Sequence, residues 1–151
     1  MQTIQMRPIG WVHNTVAEKK DHSWGNELST IQLEPAYLSG LMGLDAFSHA
    51  IIVTYLHKAA YQPEKHLQRR PQNREDMPLT GIFAQRAKDR PNPIGLTAVQ
   101  IVAVNEDSFT VKGLDAVDGT PVLDIKPYYP VYDRRDAQVP EWVERLMAEY
   151  F

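Results

Sequence analysis

The apolar residues of this chain come in short, β-branched runs between turn-forming residues, and that punctuation constrains the fold more than any other feature. "SHAIIVTYLHKA" (48–59) and "GLTAVQIVAV" (95–104) are rich in Val, Ile, Thr and aromatic side chains, the types that fit a pleated, half-buried surface. "STIQLEP" (29–35) alternates apolar and polar positions, the period of a strand with one buried face. "NEDS" (105–108) leads into "FTVKGL" and reads as a hairpin turn, and Asp118-Gly119 marks a turn before the strand in "TPVLDIKPYYP". "GIFAQ" (81–85) reads as a further strand. "IQMRPIGWVH" (4–13) reads as an edge strand, because Pro8 cannot donate to a ladder. "PAYLSGLMGLDAF" (35–47) predicts a short helix or turn, and the polar stretch 60–80, with Pro63, Pro71 and Pro78, predicts a long loop. Only "PEWVERLMAEYF" has a helical period. Pro140 suits a first turn, Glu141 and Glu144 complement the helix dipole, and Val143, Leu146, Met147 and Tyr150 share one face. The predicted fold is mainly β and barrel-like or sandwich-like, with short helical insertions and a C-terminal amphipathic helix at about 140–150.

A chain of 151 residues suits one domain, 1–151. It has no cysteine, which excludes disulfides and thiolate metal sites and fits the cytoplasm. No window approaches the ~18 continuous apolar residues of a membrane span, and the first residues lack the basic-then-apolar build of a signal peptide. The net charge of -3 argues against a uniformly basic nucleic-acid binder. The charge is uneven, however: residues 58–90 carry eight Lys/Arg against four Asp/Glu, and the rest carries eight against fifteen. A basic segment on an acidic body is either a directed phosphate footprint or a solvated loop.

Dinucleotide, Walker and nucleophile-elbow fingerprints are absent. His49 and His57, eight positions apart in one apolar run, would share a face about 26 Å apart on a regular strand, too far to ligate one metal. The loop after Arg86 is more informative. Pro91 and Pro93 flank Asn92 and stiffen the backbone before any ligand arrives, and Arg86 offers a planar fork suited to a carboxylate or phosphate. The same residues could also form a plain tight turn whose cations pair with nearby acids such as Asp89. In "LDAVDGTPVLDIKPYYP" (114–130), Asp124 and Lys126 are two apart on a strand and can pair. Tyr128 and Tyr129 are either a stacking platform or an aromatic closure of the barrel end.

Taken together, "IGWVHN", "GLDAFSHAIIVTYLHKA", "GIFAQRAKDRPNPIGLT" and "GLDAVDGTPVLDIKPY" resemble, in this order, the signatures of the TsaA-like (TrmO/YaeB) family, over residues 9–130. The resemblance implies a single β-barrel that binds S-adenosylmethionine without a Rossmann fold. It also implies a homodimer with the cofactor near the subunit interface; a cytoplasmic protein without a metal is expected. The family's well-understood enzymes methylate N6 of threonylcarbamoyl-adenosine next to the tRNA anticodon. Carried over residue by residue, the cofactor contacts fall on His57 and Lys58, Arg86, Leu96, and Lys112, Gly113, Leu114 and Asp115. Where the tRNA enzymes carry an Arg-Gln-Pro stretch, this chain reads "EKKDHSWGNELS", and its likeness is to the family's shorter branch.

Methyl transfer mainly requires that nucleophile, methyl group and sulfur be aligned. A weakly nucleophilic adenine nitrogen also needs a group that orients or takes its proton. The catalytic candidates are Asp124 for that proton, with Lys126 and Tyr128 shaping the acceptor pocket. Alternatives are a methyltransferase acting on a small molecule or protein, and a non-catalytic S-adenosylmethionine-binding module.

Overall fold

The computed structural model describes residues 1–151. Six strands close a barrel: β1 (Gly10–His13), β2 (Leu28–Leu33), β3 (His49–Tyr55), β6 (Ile94–Val104), β7 (Ser108–Lys112) and β8 (Pro121–Pro127). Their order around the barrel is β1-β2-β7-β6-β3-β8, with every pairing antiparallel. Two more short strands, β4 (Gln68–Arg69) and β5 (Thr80–Gly81), pair with each other in the stretch between β3 and β6. Three short α-helices, α1 (Pro63–His66), α2 (Pro130–Asp133) and α3 (Glu141–Met147), and four 3-10 segments, Pro35–Leu41, Leu44–Ala46, Pro71–Asn73 and Ile82–Ala84, complete the chain. No helix is long and apolar enough to cross a membrane.

Alternation in the sequence becomes the inside and outside of the barrel. Ser29, Ile31 and Leu33 of β2, Ala50, Ile52 and Thr54 of β3, and Thr97 and Val99 of β6 point inward and are buried. Phe109, fully buried, and Val111 enter the same core from β7, beside Val12 and Val122. A six-stranded barrel is narrow enough for these side chains to fill it. Closure also removes the open edges that strands this apolar would otherwise present. Gly10 lets β2 lie close against β1: a Cβ there would come within 2.4 Å of the Gln32 carbonyl oxygen.

Several expectations need correction. The strand predicted over 4–13 begins at Gly10, because Pro8 has no N–H and pairing with β8 starts only at the Ile9 N–H, bonded to the Val122 carbonyl at 2.8 Å. The predicted strand "GIFAQ" is a 3-10 turn, Ile82–Ala84, after the two residues of β5. Gln85 explains this: its buried amide donates to the Arg69 and Thr80 carbonyls, each at 2.9 Å. It satisfies a loop, not a ladder. His57 does not share the strand of His49, since β3 stops at Tyr55 and His57 lies in the following turn. The last helix is shorter than predicted, Glu141–Met147.

Part of the basic stretch 58–90 is organised around one acid. Asp89, with its side chain 13% exposed, accepts the Ala60 N–H at 2.8 Å. Lys88, Arg69 and His66 stand 3.3, 3.6 and 3.9 Å from its other oxygen. Burial pulls its pKa up, but the Ala60 hydrogen bond and the charges of Lys88 and His66 outweigh this and hold the carboxyl below its ordinary range. Arg69, also largely buried, has no other carboxylate partner. Asp89→Asn should therefore destabilise the protein by about 1.5–3 kcal/mol, the worth of hydrogen bonds to a charged group. A folded-state pKa below the unfolded one means the contribution is complete above the unfolded carboxyl range, about pH 4. It is lost as pH falls through the lower folded value. Denaturant titrations of wild type and variant at several pH values check this: their difference should shrink only below about pH 4.

Candidate cofactor site

The loop between β5 and β6 is rigid for reasons visible in its sequence. The Leu56 N–H bonds the Pro93 carbonyl at 2.7 Å, which ties the Pro-Asn-Pro turn to the end of β3. Arg90 folds back onto the carbonyls of Gln85 and Ala87 at 3.0 and 3.3 Å, and Lys88 pairs with Asp89. Two of the loop's three cations thus brace the loop itself. Arg86 is different: its side chain is exposed and one terminal nitrogen donates to the Leu96 carbonyl. A guanidinium carries five donors, so most of its fork stays available to an anion.

Leu96 itself lies on the outer face of β6, where it pairs with Val53 of β3. The next residue, Thr97, points inward and donates to one oxygen of Asp115. The Tyr150 hydroxyl donates to the other at 2.6 Å. Arg86 and Asp115 are therefore brought to one place, although they lie far apart in the chain. The segment before Asp115 is shaped by Gly113, whose φ of 89° is a left-handed conformation that glycine adopts without strain. The Gly113 N–H bonds the Glu27 carbonyl at 3.0 Å, and the Leu114 side chain is buried in the core. The main-chain N–H groups of Leu114 and Asp115 make no hydrogen bond within the chain. Such groups are suited to the edge of a flat heterocycle.

A second loop lies over this segment. Trp24 is buried, its ring nitrogen bonds the Lys20 carbonyl at 3.2 Å, and the Lys20 ammonium sits 4.8 Å from the ring centre. Lys20 also pairs with Glu27. Residues 20–27 thus fold as one unit beside Gly113. Beyond β3, His57 and Lys58 lie in the turn, and Lys58 reaches the Ala17 carbonyl in the same loop region.

The residues marked for the acceptor side are placed differently. Asp124 pairs with Val53 across β8 and β3, so Leu96, Val53 and Asp124 form one row on the outer face. Two strand spacings separate the ends of that row, about 10 Å. Asp124 is half exposed, pairs with Lys126 at 2.8 Å, and lines an open, mainly apolar cavity of about 610 Å³ with Tyr37, Leu44 and Phe47. Its hydrogen bond and charge raise the pKa of Lys126. Tyr128 stands near the other end of β3, tilted against His49, and Tyr129 stacks on Phe47 at 5.9 Å. The two tyrosines therefore stand at the His49 end of β3, away from Leu96 and Arg86. No group of three or more His, Asp or Glu side chains is arranged to hold a metal ion.

Two participants were not visible as such in the sequence. Thr97 is the one hydroxyl in the inward row of β6, and that signal could have marked it. Tyr150 reads as part of an apolar helix face. Burial first, then the charge and hydrogen bond of Asp115, raise its pKa well above the ordinary tyrosine range, against a smaller pull from Arg86.

With this geometry in hand, similarity to known proteins is specific. Residues 19–134 match the family model described as the tRNA-methyltransferase O N-terminal domain. A probable S-adenosyl-L-methionine-binding protein of Pyrococcus abyssi is 36% identical over 94% of this chain and 77% of its own length. The mouse tRNA (adenine(37)-N6)-methyltransferase is 43% identical over 62% of this chain, but only 21% of the enzyme is covered. The crystal structure of TrmO from Pseudomonas aeruginosa superposes with a TM-score of 0.76 at 29% identity, over 94% of this chain and 62% of that one. This chain thus spans less than two thirds of that crystallised protein and about a fifth of the mouse enzyme. Matching motifs, barrel and sequence agree that the chain belongs to the TrmO, or TsaA-like, family.

Proposed function

We propose that this protein is an S-adenosylmethionine-dependent methyltransferase that modifies N6 of an adenosine in tRNA, threonylcarbamoyl-adenosine beside the anticodon. The observation that carries the reading is the convergence of Arg86, Leu96 and the 112–115 segment. It joins a guanidinium fork, most of whose donors are open, to unpartnered main-chain donors at Leu114 and Asp115. That donor set fits the cofactor: a carboxylate suits Arg86, and adenine nitrogens suit main-chain N–H groups. The cofactor would supply a methyl group already activated by its sulfonium. The chain's work is to hold and orient. Arg86 would bind the carboxylate, Lys112, Gly113, Leu114 and Asp115 would cradle the adenine, and Leu96, His57 and Lys58 would wall the site.

The acceptor would lie over the outer face that Leu96 shares with Asp124. Asp124, released from Lys126, would orient or take the N6 proton. Lys126 and Tyr128 would shape the acceptor's path. We take residues 1–151 as one domain working in the cytoplasm, where a cysteine-free chain meets no redox constraint. The adjoining ends of β3 and β6 support a homodimer: the paired Tyr55 and Ile94 are 45% and 41% exposed there, apolar side chains of the kind an interface covers. A second reading, a cofactor-binding module without transfer, is favoured by the Asp124–Lys126 pair, which occupies the candidate base.

Calorimetry with S-adenosylmethionine should show binding that Arg86→Ala weakens by about 10–100-fold, as loss of a charged hydrogen-bonding partner implies. Labelled cofactor should then transfer its methyl group to bulk tRNA, with the label released by RNase. Binding without transfer to any RNA would favour the module, and no binding at all would end both readings. In sedimentation the wild type should be a dimer and Ile94→Glu a monomer. A wild type that stays monomeric at high concentration would remove the dimer.

A further inference from the structure

The residues that follow α3 are built into the site from outside the barrel. Residues 149–151 run along residues 23–25. The Ser23 N–H bonds the Glu149 carbonyl and the Trp24 N–H bonds the Tyr150 carbonyl, each at 2.8 Å. Gly25 makes this approach possible, since a Cβ there would come within 2.7 Å of the Phe151 backbone. α3 itself is tied to the basic stretch, where Arg145 donates to the Asp76 carbonyl at 2.7 Å and stands 3.8 Å from its carboxylate. The strap is thus registered on the 20–27 loop and on the 58–90 stretch at once.

This anchorage carries one polar group inward. The Tyr150 hydroxyl takes one oxygen of Asp115, and Thr97 of β6 takes the other. A carboxylate held by two donors from two separate elements has lost the rotational freedom of an ordinary aspartate. Its main chain is held with it, and that main chain, with Leu114, carries two N–H groups that make no hydrogen bond within the chain. Burial and Asp115 both favour the protonated phenol, so the hydroxyl keeps the proton it donates.

We propose that Tyr150 is a positioning residue of the cofactor site: by holding Asp115 against Thr97 it presets the Leu114–Asp115 main chain on which the cofactor's heterocycle is bound. The inference rests on the cofactor reading above and assigns a role to α3 and its following residues, which lie outside the matched stretch 19–134.

Calorimetric titration of S-adenosylmethionine into wild type, Tyr150→Phe, Asp115→Ala and the double variant tests it, with thermal melts of each protein without cofactor. Tyr150→Phe should bind about 10-fold more weakly, the worth of one charge-assisted hydrogen bond. The double variant should bind no more weakly than Asp115→Ala alone, because a residue acting through the Asp115 carboxylate has nothing left to act through. Affinity unchanged in Tyr150→Phe, or losses that simply add, would overturn the proposal. So would a melting temperature that falls while affinity holds, since that is the mark of a purely structural contact. If the wild type does not bind, the cofactor reading fails and this inference goes with it. If the wild type binds and Tyr150→Phe binds equally well, only the inference fails.

Discussion

Strand β3 pairs with β6 along all seven of its residues and with β8 along most of its length, and the candidate site depends on this double pairing. It closes the barrel on one side and sets a register that puts Leu96, Val53 and Asp124 in a single outward row. Slipping either pairing by one residue would send that row inward and expose the core row of Ala50, Ile52 and Thr54. The burial of Ile52, Val99 and Val122 is therefore what keeps the candidate residues on the surface. The site is a consequence of core packing, not a separate construction.

The loops are organised by polar groups that have to be satisfied. Asp89 gathers Lys88, Arg69, His66 and the Ala60 N–H, and Gln85 gathers two carbonyls. Asn14 joins the end of β1 to the Ala116 carbonyl at 2.8 Å and to Ser29 at 3.0 Å. Each buried group of this kind is costly when unpaired, so a long connection that buries several becomes a fixed structure. This separates the three cations of the loop after Gln85. Lys88 and Arg90 are consumed in bracing, and Arg86 is left presented.

Much of the fold was legible locally. β2, β3, β6, the hairpin into β7 and the strand β8 lie close to where alternation and turn residues put them, and Gly119 has the positive φ that the Asp-Gly turn requires. The Asp124–Lys126 pair follows from strand periodicity alone. The misreadings share a cause. "GIFAQ" has strand composition, but Gln85 bonds to loop carbonyls; "IQMRPIGWVH" has strand composition, but nothing pairs with it before Ile9. Propensity describes a residue's fit to a pleated surface, not whether a partner strand is there.

The sequence by itself determined which residues face inward, where strands turn, that Arg86 sits on a stiffened loop, and which family's motifs the chain carries. Period and turn chemistry act over a few residues, so they are readable without a structure. Tertiary structure alone decided that Arg86 and Asp115 are bonded to consecutive residues of β6, Leu96 and Thr97, and that Tyr150 reaches Asp115 from 35 residues away. A helical period of 3.6 marks Tyr150 as belonging to an apolar face. It does not say where the hydroxyl at the tip of that ring goes. That is set by the backbone pairing of residues 149 and 150 with residues 23 and 24, a contact across the whole chain that no local pattern encodes.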